Sequence, residues 1–79
     1  MAFLRVRLSF PPSQITEPVI YNIGKQYDVV TNIRRANVTA DTGWVVLEIT
    51  GEADELERAV DHLRNINVDV EPVEGDVVQ

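Results

Sequence analysis

The residues able to do acid–base, nucleophilic or metal chemistry are few and scattered along this chain. His62 is the single histidine and there is no cysteine, which removes thiolate catalysis, disulfides, iron–sulfur ligation and thiolate metal sites. His62 stands one residue before the apolar Leu63 of a helical pattern, so it is expected to face solvent. With no second ligand at metal spacing it builds neither a metal site nor a general acid–base pair. The acids Glu52, Asp54, Glu55 and Glu57 crowd together, but they lack the alternating D-x-D-x-D-G loop that calcium coordination requires. Their sign is the one favoured at the positive end of a helix dipole. No G-x-S-x-G, Walker A or G-x-G-x-x-G sequence occurs, so nucleophile-elbow, nucleoside-triphosphate and dinucleotide chemistry have no motif to rest on. The expectation is a protein that binds, with no enzymatic activity, no metal and no cofactor.

Composition narrows what it binds. Seventy-nine residues with 44% hydrophobic content allow one domain with one core, small enough that association would add to its stability. Thirteen acids against seven bases give a net charge of −6, which disfavours nucleic acid and anionic membrane surfaces, both of which reward positive charge. Arg5 and Arg7 interrupt the first apolar run and spoil a signal-peptide core. No run approaches the roughly 20 apolar residues needed to insert into and cross a bilayer. A soluble, cytoplasmic protein without nucleic-acid partners is expected.

The elements follow from periodicity. Leu4, Val6, Leu8 and Phe10 alternate with Arg5, Arg7 and Ser9, the pattern of a strand with one buried face, and Pro11-Pro12 ends it. A helix follows, capped by Thr16 or Glu17, with Pro18 in its first turn. Its stripe is Ile20, Ile23, Gly24 and Tyr27, and Gly24 on that stripe predicts close packing on the sheet. The second strand runs from about Val30 to Ala40. Ile33 falls on the opposite parity from Ala36 and Val38, which predicts a bulge or face change near Arg34-Arg35. Asp41-Thr42-Gly43 turns the chain into a third strand that places Val45, Leu47 and Ile49 on one side and Trp44, Val46, Glu48 and Thr50 on the other.

Gly51 leads into a second helix with Leu56, Ala59, Val60 and Leu63 at i, i+3, i+4 and i+7. Asn65 or Asn67 can end it in a left-handed conformation. The last strand alternates Val68 and Val70 with Asp69 and Glu71 before Pro72. The order β-α-β-β-α-β is the split βαβ pattern of the α+β ferredoxin-like fold: an antiparallel sheet in the order 4-1-3-2 with two helices on one face. The domain is expected to span residues 1–74, with 75–79 as a C-terminal tail.

In that fold the helices cover Leu4, Val6, Leu8, Val45, Leu47 and Ile49. The uncovered face then carries Asp69 and Glu71, Arg5 and Arg7, and Trp44, Val46 and Glu48. The ordinary account is a solvated face with weak cross-strand ion pairs. An outward tryptophan beside Val46 instead suggests an interface, formed by Trp44, Val46, Arg5 and Arg7. Two activities known on this fold find no support. RNA recognition needs aromatics on the first and third strands, where only Trp44 stands beside acids. Acylphosphatase chemistry needs a basic phosphate-cradling loop after the first strand, and that loop is Pro11-Pro12-Ser13-Gln14.

The stretches Leu8-Ser9-Phe10-Pro11-Pro12, Glu17-Pro18-Val19-Ile20-Tyr21 and Val30-Thr31-Asn32-Ile33-Arg34-Arg35-Ala36 resemble the NIL domain. So do Gly43-Trp44, Ile49-Thr50-Gly51 and Val68-Asp69-Val70-Glu71-Pro72-Val73, and together they cover essentially the whole chain. The resemblance implies an ACT-like regulatory module, found at the C-terminus of the ATPase subunit of methionine importers or ahead of ferredoxin domains. The Phe-Pro-Pro start and the Glu71-Pro72-Val73 ending are nearer the ferredoxin-linked branch, here in a free-standing version. The naming motif Asn-Ile-Leu reads Asn32-Ile33-Arg34. The resemblance therefore implies a small-ligand site at Asn32, Ile33 and Arg34, near the interface of a homodimer. Its ligand would be an amino acid, with methionine specificity altered by an arginine where the family has leucine. An amide suits such a site because it donates and accepts at once, and an equally ordinary use of Asn32 is to satisfy backbone groups at an irregular strand start. The rival expectation is an interaction module that docks a redox (ferredoxin-type) or transporter protein partner through Trp44, Val46, Arg5 and Arg7.

Overall fold

The alternation that opens the chain becomes β1 (Ala2–Phe10), which places Val6 and Leu8 in the core and Arg5 and Arg7 on the other side. The computed structural model describes residues 2–15, 18–39 and 41–73. The other described elements are α1 (Pro12–Ile15), α2 (Val19–Gln26), β2 (Val29–Val38), β3 (Gly43–Gly51), α3 (Ala53–Asn65) and β4 (Asp69–Pro72). All strand pairs are antiparallel, and the sheet order β2-β3-β1-β4 is the predicted 4-1-3-2 order seen from its other edge. The predicted tail, residues 75–79, lies outside the described residues, as do Thr16, Glu17 and Ala40.

One core holds the layers together. Val6 and Leu8 of β1, Val45, Leu47 and Ile49 of β3, and Val70 of β4 meet Val19 and Ile23 of α2 and Leu56, Ala59 and Leu63 of α3. Each apolar set is a direct product of its period, two in the strands and 3.6 in the helices. The end of α3 is set by Asn67, which takes a left-handed φ of 69°. Asparagine tolerates that conformation better than most residues because its short polar side chain can bond locally.

The structure corrects several sequence expectations. Pro12 does not only end β1; it opens the single turn α1, where its fixed φ and missing N–H are acceptable. Pro18 stands at the N-cap of α2, just outside the first turn, and supplies no side-chain cap. Gly43 and Gly51 are strand residues rather than linkers, at the two ends of β3. The connection from β2 to β3 is instead tied by Thr39, whose Oγ1 accepts hydrogen bonds from the backbone N–H of Thr42 at 3.1 Å and Asp41 at 3.4 Å. Leu4, expected under a helix, is 36% exposed, because β4 pairs only with Val6–Ser9 and leaves the start of β1 at an edge.

His62 is not a solvated bystander either. Its Nδ1 lies 3.1 Å from the Tyr27 hydroxyl, and the two rings meet edge to face with centroids 5.6 Å apart. That contact ties the end of α2 to the last turns of α3.

The two helix-linked glycines have opposite meanings. Gly24 is exposed, and a Cβ there would meet only Thr31 Oγ1 at 3.9 Å, an ordinary contact. The buried residues of α2 are Val19 and Ile23, with Ile20 and Tyr27 partly covered, so glycine is not needed for packing. A Cβ on Gly51 would instead lie 2.9 Å from the carbonyl oxygen of Asp28 and 3.2 Å from Val29 Cγ1. Gly24→Ala should therefore raise stability by about 0.5–1 kcal/mol, and Gly51→Ala should lower it by about 1–3 kcal/mol. Urea unfolding of the two variants checks the sign of each.

Candidate functional site

Two surfaces stand out, one on each side of the sheet. The first arises from a length mismatch. The eight residues of α2 make about 12 Å of helix, while the ten residues of β2 extend for about 33 Å. The helix therefore covers Val29 and leaves the far half of the strand bare: Ile33 is 53% exposed and Val38 57%. Between that half-strand and the start of α2 lies a groove of about 260 Å³. Ile33, Ala36 and Val38 form one wall, Val19, Ile20 and Tyr21 the other, and Phe10, Gly43 and Val45 the floor.

Among the described residues no charged side chain lines that groove. Its volume is just below the roughly 300–1,000 Å³ of drug-sized ligand sites, which suits one apolar side chain better than a large cofactor. Tyr21 is also approached by Lys25, whose ammonium lies 5.5 Å from the centre of its ring.

The bulge predicted near Arg34-Arg35 is present and shapes the groove. Ile33 pairs with Leu47 and Arg35 with Val46, so Arg34 is the extra residue. By taking up one position, Arg34 brings Ile33, Ala36 and Val38 onto the same face despite their mismatched parity. An inserted residue also leaves ladder groups unpaired at the bulge.

The predicted trio is consequently divided. Ile33 faces the groove. Asn32 pairs with Glu48 across the ladder and belongs to the opposite, open face. Arg34 reaches that face as well, its Nε 3.8 Å from Glu48 Oε2. The three residues therefore share a strand but no single face: Ile33 lines the groove, and Asn32 and Arg34 lie on the side of Glu48.

The second surface is the open face itself. Arg5 binds Glu48 through Nε at 3.0 Å and also through Nη2, and both side chains are mostly covered. Arg7 lies over Trp44, with its guanidinium carbon 4.8 Å from the ring centroid. Such cation–π contacts contribute about 0.5–1 kcal/mol at exposed sites, and this one explains why an outward tryptophan is half-buried. Val46 sits beside it in the same strand, so Trp44, Val46, Arg5 and Arg7 do share one face. Among the described residues no three His, Asp or Glu side chains converge as metal ligands, and no helix is long and apolar enough to cross a membrane.

Groove residues Phe10, Tyr21 and Val38 were not singled out from the sequence as site residues. The available signal was the predicted bulge, whose shift in parity sets Ile33, Ala36 and Val38 on one face; the shortness of α2 against β2 emerges only in the structure.

Comparison with known proteins gives a consistent picture. Residues 4–72 match the family model of the NIL domain. The chain is 29% identical over 73 residues to the methionine import ATP-binding protein MetN 2 of Listeria innocua, covering 87% of this chain and 22% of that protein. It is 31% identical over 70 residues to the protein of the same name from Oenococcus oeni, covering 84% and 20%. The chain thus spans about a fifth of the length of the curated relatives it matches. Among solved structures, the C-terminal domain of an ABC transporter ATP-binding protein from Enterococcus faecalis is similar with a TM-score of 0.78 and 26% identity, covering 92% of this chain and 86% of that one. A de novo designed protein, Foldit4, shares the fold at a TM-score of 0.57 and 18% identity.

Proposed function

The chain belongs to the NIL domain family, and on that premise we propose that it is a non-enzymatic regulatory module that binds a small amino acid such as methionine and acts as a homodimer. The observation that carries this reading is the groove between β2 and the start of α2, whose described lining is apolar apart from Tyr21. A thioether or branched aliphatic side chain would lose water there without leaving a polar group unsatisfied. The amino acid's charged head would then project past the outer edge of β2. There the side chains of Asn32 and Arg34 would have to reach round that edge from the open face to meet it, and a guanidinium is well suited to a carboxylate.

In this reading Ile33 grips the side chain while Asn32 and Arg34 hold the head group. An arginine at position 34 shifts the balance from apolar wall to carboxylate clamp, so aliphatic amino acids compete with methionine. The relatives are methionine import ATP-binding proteins, which supports a cytoplasmic transporter protein as what such a module regulates. Catalysis forms no part of the proposal.

A thermal-shift screen against the twenty amino acids tests it. A ligand at 100 times its dissociation constant stabilises the fold by about 2.7 kcal/mol, a rise of several degrees for a domain of this size. Methionine, leucine or isoleucine should raise the melting temperature, and aspartate and lysine should not. A flat response to all twenty would remove the ligand-binding reading.

A further inference from the structure

We propose that the outer edge of β2 docks an extended peptide segment of alternating aliphatic and acidic residues, which adds to the sheet as a fifth strand. A sheet in the order β2-β3-β1-β4 has two edge strands, and they differ. β4 is four residues long, ends on Pro72 and carries Asp69 and Glu71. Shortness, a proline and charge are devices that keep an edge from taking up another strand. β2 is ten residues long and contains neither proline nor acid. Its inner side pairs with β3 along its length, and among the described residues no strand pairs with its outer side. A row of backbone N–H and C=O groups is left there for a partner, the setting in which peptides join sheets by strand addition.

The side chains say what kind of partner. Residues 32–38 are all exposed. On the helix side, Ile33, Ala36 and Val38 form the bare wall of the groove. On the open side lie Arg34, beside Glu48, and Arg35, whose ladder partner is Val46. Arg34 approaches Glu48 Oε2 only to 3.8 Å, and among the described residues Arg35 has no ion-pair partner. A strand laid along this edge continues both rows, because its side chains alternate between the same two faces. Its groove-side residues then stand beside Ile33, Ala36 and Val38, which favours aliphatic ones. Its open-side residues stand beside the two arginines, which favours acids.

Local charge agrees. Residues 19–38 hold three of the chain's seven bases, Lys25, Arg34 and Arg35, and one of its thirteen acids, Asp28. Asp28 and Asp41 stand beyond the two ends of β2, away from the arginines. The bulge at Arg34 bends the strand, and the paired arginines make the edge selective: they repel a basic segment and attract an acidic one. A second copy of the chain is the poorer occupant. β2 paired antiparallel with its own equivalent sets arginine against arginine wherever the bulges meet, and like charges placed opposite are unfavourable.

The inference does not rest on the amino-acid reading, although both use Ile33 and the two occupants should exclude each other. Fluorescence anisotropy tests it, with the whole chain titrated into a labelled, end-blocked peptide Val-Glu-Val-Asp-Val-Glu. Binding should saturate, and Val-Lys-Val-Lys-Val-Lys should bind about tenfold more weakly or worse. Arg35→Glu should weaken the acidic peptide by about tenfold and invert the preference between the two, a result that an unfolded variant cannot give. Methylating the backbone nitrogens of one alternate set of peptide residues should abolish binding, and methylating the other set should spare it, because only every second N–H faces the sheet edge. No saturable binding up to about 1 mM peptide overturns the inference, as does equal binding of both peptides or an equal effect of the two methylation patterns. Peptide binding without any thermal response to amino acids upholds the inference and removes only the amino-acid reading. An amino-acid response without peptide binding does the reverse.

Discussion

Leu47→Ala should cost about 2–5 kcal/mol of folding free energy, enough to leave much of this small domain unfolded at 37 °C. Leu47 sits in the central strand β3, is 1% exposed, and is flanked by Val6 of β1 and Ile33 of β2. Its removal opens a cavity at the middle of the core, and the flanking strands cannot close in without breaking their ladders. The native margin is small, because a chain of 79 residues supports only about 3–5 kcal/mol from a single core of this kind. Circular dichroism at increasing temperature should show the broad, early loss of signal expected of a population already partly unfolded. Leu47→Met, which keeps the volume, should cost less than about 1.5 kcal/mol.

Ile33→Asp should abolish amino-acid stabilisation while leaving the fold almost intact. The side chain is 53% exposed, so an aspartate can be hydrated in the free protein and the stability loss should stay within about 1 kcal/mol. In the complex the new carboxylate would have to share an apolar groove with the ligand's side chain, which strips its water without offering a partner. An affinity loss of about 100-fold or more is expected, and calorimetric titration with methionine measures it. Ile33→Val removes one methylene, worth about 0.8 kcal/mol when fully buried, and should weaken binding by no more than about fourfold. That pair of substitutions separates a groove effect from damage to the strand.

Much of this architecture is legible from the residues alone, because alternation and helical spacing act over short distances. Leu4 to Phe10 announces a strand, Leu56 to Leu63 a helix, and the parity conflict between Ile33 and Ala36 announces the bulge that the ladder contains. The sheet order follows once the element order is known. What escapes the sequence depends on how far elements reach over one another. A prolyl-prolyl stop looks like an end to structure, yet Pro12 also fits the first position of a helical turn. Gly24 falls on the apolar stripe, but Val19 and Ile23, one turn apart, carry the burial.

The groove escapes for the same reason: nothing local says that α2 is too short to cover β2. The binding trio divides because neighbours in a strand point to opposite faces, so a contiguous motif such as Asn32-Ile33-Arg34 can act as a unit only at an edge. His62 joins Tyr27 through a contact between residues far apart in the chain, which spacing within one helix does not reveal. Charge is the exception. The arrangement of arginines and acids on the open face follows almost entirely from strand parity and register.

The most direct test of the account is a methionine titration followed by amide resonances in two-dimensional nitrogen–proton spectra. The account predicts perturbations that saturate with ligand and cluster at Ile33, Ala36, Val38 and Gly43 on one wall and floor of the groove and at Ile20 and Tyr21 on the other, with Arg34 moving as the head group docks. Saturable shifts confined to Trp44, Val46 and Arg7, or spectra unchanged at millimolar methionine and leucine, would contradict it.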